Sequence, residues 1–168
     1  MTKRASSLWS NLFRKRSPIT DHIIDMWSTT PLFRDIPKRE ILQLVRDIPP
    51  RCYATNEYIF HSGDQGAGAA IILSGKVHIR SGDVLLAELN EGDFFGEIAL
   101  VLDVPRTADA IAVEDTELIF FLRPELEDWL SRSPYFAGRL GSNLAYVLAQ
   151  RLIQANKALE QAGQSGQL

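Results

Sequence analysis

The side chains best suited to chemistry lie in one stretch, residues 92–110, which reads GDFFGEIALVLDVPRTADA. Its centre, a Gly-Glu pair at Gly96 and Glu97 followed by Ile-Ala-Leu, indicates a turn leading into one short helix. Unpaired N–H groups at a helix start can hold an anion, and glycine lets the backbone approach a ligand closely. Arg106, directly after Pro105, adds a planar guanidinium that suits phosphate oxygens. The stretch therefore predicts a phosphate site.

The carboxylate of Glu97 points to a second group on the same ligand. A carboxylate and a phosphate repel each other, so we expect Glu97 to accept a hydrogen bond from a hydroxyl, such as that of a sugar. One phosphate beside one sugar hydroxyl is typical of a nucleotide. The alternative interpretation is a structural ion pair between Glu97 and Arg106 within a loop.

The elements that must position these groups are short strands. Between residues 51 and 122, β-rich runs recur with turn signals such as Ser-Gly-Asp and Glu-Gly-Asp between them, at 58–60, 69–73, 76–80, 84–89, 107–113 and 117–122. Many short strands with regular turns are typical of an antiparallel sandwich or barrel. We expect a mainly β fold.

Helical patterns flank this β region. Residues 19–49 predict helices that end at Pro49-Pro50, and helix returns after Arg123-Pro124 and continues to about residue 161. The last helix carries an apolar stripe at spacings of three and four, formed by Ala145, Leu148, Leu152, Ala155, Leu159 and Ala162. Such a stripe fits a helix lying on its own barrel, and it equally fits a seam between two copies or a moving lid.

Residues 92–110 resemble the phosphate-binding cassette of the cyclic nucleotide-binding domain family, which includes catabolite activator-type regulators and cyclic nucleotide-dependent kinases. The match is FGEIAL at 95–100, four further residues, and PRTA at 105–108. The family's strand and turn positions are matched upstream by Phe60, Gly63, Asp64, Gly75, Val77, Leu89, Gly92 and Asp93. The resemblance covers about residues 30–160.

The resemblance implies a fold and a division of the chain. The fold would be a double-stranded β-helix, or jelly-roll barrel, with N-terminal helices, a short cassette helix and a long C-terminal helix. The chain would divide into a basic leader at 1–18, a cyclic nucleotide-binding domain at 19–162 and a flexible tail at 163–168.

It also implies roles for individual residues. Glu97 would accept the ribose 2′-hydroxyl, Arg106 would hold the cyclic phosphate with nearby backbone amides, and Thr107 would lie beside base and phosphate. The last helix would close over the base, with Arg151 and Asn156 as its candidate contacts. The rest of the implied site lines the base or forms the cassette: Ile79, Leu86, Phe95, Gly96, Ile98, Ala99 and Ala108.

The implied function is a sensor without a cofactor or catalytic activity, whose ligand is cAMP or cGMP, with cAMP favoured. Signalling would run through the C-terminal helix to a protein partner, and that helix could pair two copies into a homodimer. Ala67, Ala69 and Ala70 depart from the bulkier family pattern. They keep open the alternative of a scaffold that retains the fold without binding a nucleotide.

Composition excludes several other classes. The 168 residues carry a net charge of −3, a single cysteine (Cys52) and three histidines without a His-x-His pair, which argues against disulfides, metal sites and metal-dependent enzymes. No apolar run reaches the length of a transmembrane helix. The chain ends soon after the long helix, so we expect no DNA-binding element and no DNA binding.

The charge is unevenly distributed. Residues 1–18 hold five basic and no acidic side chains, whereas the other 150 hold 13 basic and 21 acidic ones. The leader lacks the apolar core of a secretory signal, so we expect a cytoplasmic protein. Its apolar face at Leu8, Trp9, Leu12 and Phe13 fits a peripheral membrane contact, and it also fits a terminal helix docked on the domain or a simple arm.

Overall fold

The structure is a computed structural model that describes residues 18–45 and 48–165, with side chains described at 21–45 and 48–160. The leader hypothesis concerns residues before Pro18 and lies outside the described residues. The end of the predicted tail, residues 166–168, also lies outside them.

Three helical elements begin the described chain: α1 (Pro18–Thr29), a 3-10 turn (Pro31–Phe33) and α2 (Lys38–Val45). The predicted helix extended to residue 49, but residues 48–50 are not helical. Pro49 and Pro50 explain this difference, because a proline disfavours helical backbone at the residue before it.

Within the part of the chain that the structure describes, eight strands follow and form two four-stranded antiparallel sheets. Their bounds are β1 (Arg51–Tyr53), β2 (Tyr58–Phe60), β3 (Gly68–Ser74), β4 (Val77–Ser81), β5 (Val84–Leu89), β6 (Phe94–Phe95), β7 (Asp109–Ala112) and β8 (Thr116–Leu122). One sheet has the order β1-β8-β3-β6 and the other β2-β7-β4-β5. The prediction of a jelly-roll type β fold with flanking helices is confirmed.

Two apolar cores hold these layers together. The core between the sheets includes Ala70, Ile72, Phe95 and Leu118. The buried alanines Ala69 and Ala70 lie in β3, which is paired on one side with β8 and on the other with β6. Two of the three alanines that departed from the family pattern therefore occupy a strand buried between two neighbours, whereas Ala67 lies just before that strand and is exposed.

The second core joins the helices to the outside of the first sheet. Trp27 of α1 is fully buried, stacks on Phe33 at 5.2 Å between ring centroids, and contacts Phe121 of β8 at 4.7 Å. α4 (Arg123–Arg132) adds Trp129, and α5 (Pro134–Ser165) adds Leu140 to the same cluster. The two ends of the chain thus meet on one face of the sheet.

α5 is buried only in its first half. Leu140, Asn143 and Val147 are buried, whereas Leu152 and Leu159 are 62% and 70% exposed. The predicted stripe therefore does not lie on its own domain over its full length, and pairing with a second copy stays a prediction. Within the described residues, no helix is long and apolar enough to cross a bilayer.

We predict that Asn143→Ala lowers the free energy of unfolding by about 1–3 kcal/mol, because the buried amide donates to the carbonyl oxygens of Leu32 (2.9 Å) and Arg34 (2.8 Å). Urea titration measures the change. Gln150→Ala, at an exposed position on the same helix, is the control and should stay within about 0.5 kcal/mol of the parent. Equal effects of the two substitutions would contradict this role of Asn143.

Candidate functional site

The stretch from residue 92 to 110 folds as predicted into a turn and one short helix. β6 leads through Gly96 and Glu97 into α3 (Ile98–Val101). Gly96 has φ +74°, a left-handed conformation that favours glycine. Ile98 is the first residue of α3, where a helical N–H has no partner four residues back.

One predicted amide of the cassette is already engaged. The Ala99 N–H donates to the Gly96 carbonyl at 3.1 Å, and the Leu100 N–H donates to the Glu97 carbonyl at 3.0 Å. In this structure the first turn of α3 therefore uses the Ala99 N–H. A contact between a phosphate and the amides around Gly96, Ile98 and Ala99 stays a prediction.

Arg106 is held from several sides at the entrance to the cassette. Its Nη1 donates to the Gly96 carbonyl oxygen at 3.2 Å, and its guanidinium lies 4.2 Å from the ring centroid of Phe60. Its backbone N–H donates to the Asp64 carbonyl, and its carbonyl accepts from the Gly63 N–H, both at 2.8 Å. These two backbone hydrogen bonds to the 63–64 turn thus fix the backbone of Arg106, from which the side chain extends.

Burial shifts the acid–base behaviour of Arg106. The pKa of the guanidinium is lowered by desolvation, and the negative charges of Asp64 and Glu97 oppose that shift. Arginine stays protonated throughout the physiological range even so. Arg106 is therefore a half-buried cation that faces a cavity.

The Glu97 carboxylate is buried and has an ion-pair partner that the sequence interpretation did not name. Its Oε1 lies 2.6 Å from Nη1 of Arg151 on α5, and only 5% of Glu97 is exposed. Arg151 also donates to the Phe94 carbonyl and lies over the Phe94 ring, 5.0 Å from its centroid. The alternative of a Glu97–Arg106 loop ion pair is not what the structure contains.

These groups surround one cavity of about 360 Å³, a size typical of small-molecule sites. Eleven of the twelve predicted site residues line it: Ile79, Leu86, Phe95, Gly96, Glu97, Ile98, Ala99, Arg106, Thr107, Ala108 and Arg151. Asn156 does not line it and is exposed, which corrects its predicted role.

The helix period explains the misplacement of Asn156. With 3.6 residues per turn, positions 151, 155 and 158 fall on one side of α5, whereas 156 points well away from them. The cavity is in fact lined on this side by Gln154, Ala155 and Ala158.

Other lining residues that the sequence prediction omitted are Phe60, Ala87, Leu89 and Pro105. The three lining residues of α5 could have been found from the sequence, because they follow Arg151 at helical spacing. Phe60 was matched to a strand position of the family pattern, which gave it no role toward a ligand.

The cavity lining combines two kinds of chemistry. Arg106 and the start of α3 suit an anion, and the Glu97 carboxylate lines the same cavity. Apolar side chains, among them Ile79, Leu86 and Ala155, also line it. Among the described residues, no group of three or more histidine, cysteine, aspartate or glutamate side chains is arranged to hold a metal ion.

The sequence profile described as "Cyclic nucleotide-binding domain" matches residues 50–133. That range runs from β1 through the cassette to α4. The chain belongs to the cyclic nucleotide-binding domain family. This match confirms the family resemblance noted from the cassette. Domains of this family are regulatory ligand-binding modules.

Relatives of this cyclic nucleotide-binding domain include transcription regulators. The chain is 35% identical over 136 residues to the "Cyclic AMP receptor protein" of Thermus thermophilus, covering 78% of this chain and 61% of that protein. It is 29% identical over 133 residues to a "CRP-like cAMP-activated global transcriptional regulator" of Mycobacterium tuberculosis, covering 76% and 58%. The chain thus spans about three fifths of the length of these curated relatives.

A solved structure supports the same fold. The catabolite activator protein of Thermus thermophilus superimposes with a TM-score of 0.69 at 33% identity, over 80% of this chain and 63% of that one. The superposition extends beyond the profile match and takes in most of the described helices and strands.

We predict that Gly96→Ala destabilises the cyclic nucleotide-binding domain by about 2–4 kcal/mol. A Cβ there would lie 2.5 Å from Nη1 of Arg106, and alanine is strained at φ +74°. Gly82→Ala is the matched control, since Gly82 also has positive φ (+55°) with nothing within 4 Å of a new Cβ. It should cost only about 1 kcal/mol, for the backbone strain alone. Urea unfolding compares the two, and an equal cost would show that the Arg106 contact contributes nothing.

Proposed function

We propose that this domain binds a purine cyclic nucleotide in the cytoplasm, cAMP in preference to cGMP, and passes the signal through α5 to a protein partner without catalysing a reaction. The observation that carries the proposal is that Arg106, Glu97 and several apolar side chains line one cavity. A cyclic nucleotide carries groups that match this lining, namely an anionic phosphate, a ribose hydroxyl and a flat base.

The phosphate is assigned to Arg106. The bond to Gly96 uses one of the five N–H groups that an arginine carries, so others are available to a ligand in the cavity. The Asp64 and Glu97 charges balance the guanidinium without pairing with it directly, which leaves its fork suited to phosphate oxygens.

The ribose 2′-hydroxyl is assigned to Glu97. The carboxylate lies next to the start of α3 and is oriented by Arg151, 2.6 Å away. A carboxylate has acceptor sites for more than one donor, so it can keep Arg151 and accept a ligand hydroxyl together. Arg151 would then join the ligand site to α5.

The base is assigned to the apolar part of the lining, which includes Ile79, Leu86 and Ala155. The preference for cAMP is supported by the relatives, two of which carry cyclic AMP in their names. Thr107 lines the cavity, and its hydroxyl suits a contact with either purine.

The output is assigned to α5 because this helix supplies both the Arg151 contact and the wall over the base. A ligand shifts a conformational equilibrium only when it contacts the two states differently, and contacts from α5 meet that condition. The exposed apolar side chains Leu152 and Leu159 offer a surface to a partner, which includes a second copy of this chain.

We predict that isothermal titration calorimetry detects binding of both cyclic nucleotides to the parent protein, with the lower Kd for cAMP. Arg106→Ala should raise the Kd for either nucleotide by about 30-fold or more, because it removes a half-buried arginine–phosphate contact worth about 2–5 kcal/mol. Arg132→Ala, an exposed arginine on α4 outside the cavity, should leave both Kd values unchanged.

Each outcome of this titration has a distinct meaning. No heat with either nucleotide, together with no thermal shift, would overturn the proposal in favour of the scaffold alternative. A lower Kd for cGMP would overturn only the preference. An unchanged Kd in Arg106→Ala would overturn the assignment of the phosphate.

We predict that Glu97 distinguishes a ribose with a 2′-hydroxyl from one without it. The parent protein should bind 2′-deoxy-cAMP about 10- to 100-fold more weakly than cAMP, the range expected for losing a hydrogen bond to a charged group. In Glu97→Ala the two ligands should bind alike, whereas Glu160→Ala, exposed on α5, should keep the full difference. If Glu97→Ala retained the discrimination against the deoxy ligand, another group would be the ribose contact.

A further inference from the structure

Arg123 bonds to the cassette at backbone and side-chain atoms that neither Arg106 nor Arg151 contacts. It is the first residue of α4, directly after β8. Its Nε donates to the Ala99 carbonyl at 2.9 Å, and its Nη2 donates to the carbonyls of Gly66 at 3.2 Å and Leu102 at 3.0 Å. Its Nη1 lies 3.3 Å from Oδ1 of Asp103.

These partners come from two separate segments of chain. Ala99, Leu102 and Asp103 belong to the cassette, whereas Gly66 belongs to the connection between β2 and β3. The backbone N–H of Arg123 adds a bond to the Ala67 carbonyl at 2.9 Å in that same connection. One side chain thus joins α3, the β2–β3 connection and α4.

The cassette helix needs such a support. α3 has four residues, too few for a helix to be stable by its own hydrogen bonds. The carbonyls at a helix end lack partners within the helix, and Arg123 supplies donors to two of them. Ala99 also lines the cavity, so the atoms that Arg123 holds are continuous with the ligand site.

We propose that Arg123 is a positioning residue: it sets the orientation of α3 toward the ligand and ties the cassette to the first turn of α4. The identity of the ligand in this inference rests on the proposed function, whereas the contacts of Arg123 are those of the structure itself. A planar guanidinium directed at four acceptors is specific to arginine, since a lysine ammonium cannot present that fork.

Amide hydrogen exchange of the ligand-free full chain tests the positioning directly. Arg123→Met should speed exchange in residues 98–103 and at the start of α4, relative to the parent protein. Arg123→Lys keeps the charge without the fork, so it should give the same change to a smaller extent and serves if the methionine variant does not fold. Asp103→Asn removes the ion pair but leaves the three carbonyl bonds and should stay near the parent.

Calorimetry and exchange with ligand test the consequence. Arg123→Met should bind the preferred cyclic nucleotide about 10- to 100-fold more weakly. At saturation the ligand should slow exchange in α4 of the parent but not of this variant. Asn143→Ala is the control for a purely structural effect, because it loses stability elsewhere and should keep both the affinity and the response of α4.

The outcomes separate the two proposals. Unchanged ligand-free exchange at 98–103 in both Arg123 variants would overturn the positioning role, as would a normal response of α4 in Arg123→Met at saturation. If the parent protein binds neither nucleotide, the proposed function fails. Faster ligand-free exchange in the Arg123 variants would still support the tie between cassette and α4.

Discussion

The contact of the Arg106 guanidinium with the Gly96 carbonyl and the Phe60 ring is the constraint on which the cavity depends. Removing a cation from water is unfavourable unless polar groups or an aromatic face replace the lost hydration. Here a carbonyl, a ring and the charges of Asp64 and Glu97 supply that replacement. A Cβ at position 96 would lie 2.5 Å from Nη1 of Arg106, so a glycine there leaves room for the guanidinium in its present place.

The same contact shows why net charge does not decide what a pocket binds. Beyond the leader the chain carries an excess of acidic side chains, which alone argues against an anionic ligand. The local geometry nevertheless favours an anionic ligand, because Glu97 is paired with Arg151 and Arg106 lines the cavity. A field set by a few fixed groups within a few ångströms outweighs distant surface charges, which solvent and salt screen.

The sequence predicted the cassette well because its chemistry is local. Residues 95–100 and 105–108 are close in the chain, so their types and spacing pointed to a turn, a short helix and an arginine at one ligand. The resemblance to the family's cassette then favoured this interpretation over a loop ion pair. Contacts from distant segments carried no such signal. Neither the pairing of Arg151 with Glu97 nor the contact of Arg123 with Ala99 follows from a spacing. Asn156 was misplaced although the helical period already puts it on a different side of α5 from Arg151.

α5 combines these effects in one element. Its first half is fixed by buried contacts such as Asn143 with the carbonyls of Leu32 and Arg34, whereas its second half lies over the cavity with exposed leucines. Arg151 stands at the boundary, and its ion pair with the buried Glu97 carboxylate links α5 to the cassette. Beyond Arg151 the described residues of α5, 152–160, are all exposed, so the domain itself holds the second half by few packing contacts. Additional contacts, from a ligand in the cavity or from a partner on the exposed face, are what can move the equilibrium of this helix.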